Sequence, residues 1–98
     1  MVKEINDKEF EKLTKEGKVL VDCYASWCGP CRMLAPIIEQ LANELDDYKV
    51  YKLDVDKNQE TCKQFGIMSI PTVLIFEEGK LKNKNVGFIS KEELENLL

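Results

Sequence analysis

The chain has 98 residues, 44% hydrophobic and 33% charged, which is the balance of a soluble globular protein with one compact domain over residues 1–98. Its formal net charge of −4 leaves no basic surface to hold nucleic acid or an anionic membrane. It has no histidine, so the usual general base and the commonest zinc ligand are both missing.

The opening run MVKEINDKEF carries no long apolar stretch. With the initial Met, it is read as an unprocessed cytoplasmic start without signal peptide or membrane anchor. Val2 to Ile5 fits a short first strand. Asn6 then reads as a helix N-cap, with Glu9 completing a capping box. Phe10 and Leu13 give that helix its apolar side, and Gly17 suits its end. Val19 to Ala25 is a nearly continuous apolar run, the mark of a central strand covered on both faces.

A longer helix is expected from about Gly29 to about Leu45. Its stripe is Cys31, Leu34, Ala35, Ile38, Leu41, Ala42 and Leu45. Pro36 lies inside it, removes the backbone bond to Arg32 and should kink it. Lys49 to Val55 reads as a third strand, and Asn58 to Phe65 as a short helix ended by Gly66. Pro71 can open a strand over Thr72 to Phe76. Glu78-Gly79 marks a hairpin turn into Lys80 to Gly87. Ser90 and Glu93 cap a final helix faced by Leu94, Leu97 and Leu98. The order is βαβαβαββα: parallel pairing through the third strand, then an antiparallel hairpin.

The chemistry concentrates in Trp27-Cys28-Gly29-Pro30-Cys31. Residues i and i+3 at a helix start lie roughly 5–6 Å apart, within reach of a disulfide. Cys28 comes first, where free N–H groups and the helix dipole favour a thiolate. Its pKa should therefore fall below the free thiol value. Cys31, one turn in on the buried stripe, suits a shielded resolving thiol. Pro30 gives up an N–H that would have had no helical partner.

Two metal readings compete. A Cys-x-x-Cys pair can be half a zinc site. Cys23, Cys28 and Cys31 also match C-x4-C-x2-C with Cys62 following, the spacing of plant-type iron–sulfur ferredoxins. A cluster loop needs irregular, Gly-rich backbone, whereas Cys23 sits in a strand pattern and Cys31 opens an amphipathic helix. The expectation is no metal.

The segment Val21 to Cys31 resembles the active site of the thioredoxin family. Lys52-Leu53-Asp54-Val55-Asp56, Gly66-Ile67-Met68-Ser69-Ile70-Pro71-Thr72 and Gly87 are also similar, in order and at similar spacing, so that the resemblance covers the whole chain. It implies an α/β thioredoxin fold, a central mixed sheet flanked by helices, and the reduction of disulfides in other proteins. Gly29-Pro30 between the cysteines is the dipeptide of the reducing members, and oxidising relatives commonly carry a histidine there.

Asp22 interrupts an apolar strand, where a carboxylate is costly unless paired or protonated. A strand-end Asp facing water is the plain alternative. The resemblance implies a buried acid that shuttles a proton for Cys31. Lys52 alone reads as a strand lysine reaching solvent, and the resemblance sets it near Asp22. Pro71 alone reads as a strand opener. The resemblance implies a cis proline facing the disulfide, with Ile70 before it offering backbone hydrogen bonds to substrate. Trp27, Gly29 and Pro30 are expected on the contact surface, and Gly87 beside the groove. Cys23 stands where the family more often has an aromatic and is read as a small buried hydrophobe. Tyr24 stands where the family often has Trp. Cys62 is expected to be partly exposed.

The resemblance further implies thioredoxin reductase as electron donor, fed by NADPH or ferredoxin, and disulfide-containing proteins as targets. No cofactor motif occurs, and a monomer is the default. A disulfide oxidase or isomerase and a redox-inert interaction module are the competing functions. The histidine-free motif opposes the first, and retention of both cysteines and Asp22 opposes the second.

Overall fold

The computed structural model describes residues 2–98. Nine elements follow one another: β1 (Lys3–Glu4), α1 (Asp7–Thr14), β2 (Lys18–Tyr24), α2 (Gly29–Glu44), β3 (Tyr48–Asp54), α3 (Gln59–Gln64), β4 (Thr72–Glu77), β5 (Lys80–Val86) and α4 (Lys91–Glu95). This is the expected order. The strands form one five-stranded sheet ordered β1-β3-β2-β4-β5. β1, β3 and β2 are parallel, while β4 and β5 run antiparallel.

Both capping boxes form, Asn6 with Glu9 and Ser90 with Glu93. Glu78 and Gly79 take φ of 51° and 81°. Two consecutive positive φ values are what a two-residue turn needs if it is to match the twist of its strands.

Alternation along the strands makes two cores. Leu20, Val50, Val73 and Ile75 face α2 and α4, packing on Leu34, Ile38, Leu41 and Leu94. Val19, Val21, Cys23, Leu53, Leu74 and Phe76 face the other way, toward Phe10 of α1. There Phe10, Phe65 and Phe76 form a ring cluster with centroids 5.3 to 5.6 Å apart. The two contacts made by Phe76 are edge-to-face, a geometry that adds to the area the rings bury.

Two expectations need correction. Ala35 is exposed, and the fully buried line of α2 is Cys31, Leu34, Ile38 and Leu41. The reason is angular: each residue advances about 100°, which carries position 35 off the stripe that 34 and 38 share. The final helix is shorter than its leucines suggested. It ends at Glu95, and Leu97 and Leu98 pack on the core from beyond it. Pro36 does not end α2, which continues to Glu44. Arg32 and Pro36 both lie on its exposed side, where water can serve the carbonyl that proline leaves unbonded.

Candidate active site

At the end of β2 the chain leaves the sheet, and Cys28 becomes the N-cap of α2, with extended φ −92° and ψ 115°. Its Sγ accepts a hydrogen bond from the backbone N–H of Cys31 at 3.2 Å. Cys28 and Cys31 form a disulfide, their Cα atoms 5.2 Å apart. Gly29 and Pro30 fill the first turn between them, Gly29 half-buried and Pro30 exposed.

Cys28 and Cys31 are both buried in this oxidised form, so exposure alone does not rank them. Their neighbours do. The Sγ of Cys28 lies 3.9 Å from the carbonyl oxygen of Ile70, on the side of the β4 entrance. Cys31 instead lines a cleft of about 180 Å³ with Asp22, Tyr24, Ala25, Ser26, Arg32, Ala35 and Lys52.

Asp22 is 4% exposed and its Oδ1 has no hydrogen-bond partner. Burial raises its carboxyl to about 7, and the charge of Lys52 pulls the other way. Lys52 is half-buried and sits directly opposite Asp22 in the β2–β3 register. An acid that titrates near neutrality thus shares a cleft with the second cysteine of the pair.

The Ile70–Pro71 peptide is cis, and Pro71 is buried at the start of β4. Ile70 packs on the cluster of Ala25, Cys28 and Cys31. The Gly87 N–H donates to the Pro71 carbonyl at 2.8 Å. Gly87 has φ 95°, and a Cβ there would meet nothing within 4 Å. Glycine is therefore required by the backbone conformation rather than by space.

Trp27 is 66% exposed, and its Nε1 donates to Asp56 at 2.8 Å. Asp56 was not singled out from the sequence. The pair spans 29 positions, and no local pattern announces a bond of that separation. Met68 is also fully out in solvent, at 95% exposure, two positions before Ile70. In the sequence it is one more apolar residue in a loop.

The other two thiols lie apart. Cys23 faces the α1 side of the sheet, and burial, followed by the charge of Asp22, pushes its thiol strongly upward. Cys62 is half-buried, with its Sγ 3.9 Å from the Val55 carbonyl oxygen. Burial and then Asp7 and Asp56 raise it. Among the described residues, no group of three or more Cys, Asp or Glu side chains is placed to hold a metal ion.

A model of the thioredoxin family matches residues 1–98. A thioredoxin of Listeria monocytogenes is 50% identical over 99 residues, spanning 100% of this chain and 96% of the relative. A thioredoxin of Bacillus subtilis is 48% identical over 93 residues, 94% of this chain and 89% of the relative. Among solved structures, a mutant thioredoxin of Halobacterium salinarum superposes with a TM-score of 0.89 at 35% identity, covering 97% of this chain and 85% of that one.

Proposed function

The chain belongs to the thioredoxin family and is a thiol–disulfide oxidoreductase, and from that premise we propose how its residues divide the work. The carrying observation is that Cys28 is at once half of the disulfide and the N-cap of α2. In the reduced protein the Cys31 N–H and the positive end of α2 stabilise a thiolate on Cys28.

That thiolate attacks one sulfur of a target disulfide. The Cys28–target bond forms, the target S–S bond breaks, and the departing target sulfur leaves as thiolate and takes a proton from water. Cys31 then gives its proton to the Asp22 carboxylate and attacks the Cys28 sulfur. The intramolecular disulfide closes, and the second target thiolate departs. Two electrons pass from the dithiol to the target, and Asp22 returns its proton to water through the cleft. Lys52 limits the cost of the Asp22 charge.

Trp27, Gly29, Pro30, Ile70, Pro71 and Gly87 form the target-contact surface in this reading. An extended target segment lies along Ile70, whose carbonyl faces Cys28, while the Gly87 bond holds Pro71 in place. Exposed Trp27 supplies apolar area, fixed by its bond to Asp56.

Family membership implies disulfide-containing targets and a reductase that restores the dithiol. We assign that role to a thioredoxin reductase drawing on NADPH or ferredoxin, and place the work in the cytoplasm, where thiols are kept reduced. The chain is read as one domain acting as a monomer, without a cofactor of its own. Reduction of insulin by dithiothreitol tests the reading. Catalysed precipitation of the insulin chains is expected, and a rate no faster than dithiothreitol alone would leave a redox-inert module instead.

A further inference from the structure

The strand register places three charged side chains in one row across the sheet. Glu4 of β1 is opposite Lys52 of β3, and Lys52 is opposite Asp22 of β2. Directly paired residues project from the same face, with neighbouring strands about 4.8 Å apart. The row therefore runs from the exposed sheet edge at Glu4, through half-buried Lys52, to buried Asp22.

Tyr24, two residues beyond Asp22, points to the same face. The Lys52 ammonium lies 6.0 Å from the centre of its ring, a cation–π placement. Burial first, then the nearby Glu4 carboxylate, raises the Tyr24 phenol to about 12. Tyr24 and Lys52 thus line the Asp22 cleft, and Glu4 stands beside Lys52 on the edge strand. The ion pairs among the described residues are Lys18–Asp47, Lys82–Glu77 and Lys91–Glu44, so the Lys52 ammonium closes directly onto neither Asp22 nor Glu4 and stands between the two carboxylates.

We propose that Glu4 is a positioning residue for the proton acceptor: beside the Tyr24 ring, its charge draws the Lys52 ammonium toward the sheet edge, and so limits how much positive charge reaches Asp22. The proposal rests on the reading of Asp22 given above. The other groups facing Asp22 are Cys31 and Arg32 of α2. Its partner on β4 is Val73, which carries no charge. Lys52 is accordingly the charged group through which the edge of the sheet can act.

Neutralising Glu4 frees Lys52 to lean on Asp22, which favours the carboxylate. The test is the carboxyl-carbon NMR titration of Asp22 in the reduced, full-length protein, assigned by its loss in Asp22→Asn. Glu4→Gln should lower the Asp22 midpoint by about half a unit to one unit. The same substitution in a Lys52→Met background should leave the midpoint where Lys52→Met alone puts it. No shift from Glu4→Gln, or an equal shift in both backgrounds, would overturn the proposal, since Glu4 would then act on nothing or act directly. Insulin reduction followed against pH keeps the underlying reading separate. A shifted titration with an unshifted rate profile would uphold the positioning while removing Asp22 from turnover.

Discussion

Along β2, Val19, Val21 and Cys23 face α1, and Leu20 and Asp22 face α2. The α1 side is closed by three interlocked aromatic rings, and apolar packing continues along it to Cys23. The α2 side starts in the same way with Leu20 on Leu34 and Ile38, then gives way to a buried carboxylate with an oxygen that nothing bonds. One face is finished as a core and the other is left open at the end where the disulfide sits. A cysteine on the finished face has its thiol pushed up by burial, whereas Cys31 on the open face shares a cleft with an acid titrating near 7. The chemistry depends on which face a cysteine occupies as much as on the cysteine itself.

That contrast can be broken in order of expected effect. Cys28→Ser should abolish insulin reduction, while Cys31→Ser should accumulate covalent complexes with target disulfides, visible on non-reducing gels. Covalent complexes formed by Cys28→Ser, or none formed by Cys31→Ser, would erase the division between the two thiols. On the closed face, Phe76→Ala removes the ring that both other phenylalanines touch and should cost about 4 kcal/mol in denaturant unfolding. Its turnover per folded molecule should stay that of the parent.

Asp22→Asn should move stability the other way. The folded-state carboxyl lies near 7, above its ordinary value of 3.8. The native state therefore holds this proton more tightly than the unfolded chain. Below about pH 4 the group is protonated in both states and costs nothing; the penalty grows as pH rises and is complete above pH 7. Asp22→Asn in the oxidised protein should gain about 4 kcal/mol above pH 7 and progressively less toward pH 4. The same variant should reduce insulin more slowly near neutrality. A stability gain that does not vary with pH would deny the buried titration. The smallest effect belongs to Cys23→Ala, a loss of about 1 to 2 kcal/mol from a small cavity with turnover unchanged.

Much of this was legible in the sequence because it is local. The capping boxes at Asn6 and Ser90 and the Glu78-Gly79 turn depend on residues within four positions of one another, and each formed as read. Cys28 at the mouth of α2 followed from the same kind of reasoning. Ala35 was misplaced because alanine fits either side of a helix and carries little directional signal. Lys52 near Asp22 was expected from the family resemblance, but the Trp27–Asp56 bond and the place of Glu4 beside Lys52 were not legible. They depend on strand order and register, which place β1 beside β3 rather than beside β2.

The central claim is that Cys28 is the thiolate of this protein, and alkylation of the fully reduced chain tests it most directly. Limiting iodoacetamide near neutral pH, followed by peptide mass mapping, should place the first label on Cys28. Cys62 should lag, because burial and the charges of Asp7 and Asp56 hold its thiol up. Cys31 should lag behind its position inside α2, and Cys23 should not react until the protein unfolds. First labelling at Cys31 or Cys62 would contradict the account.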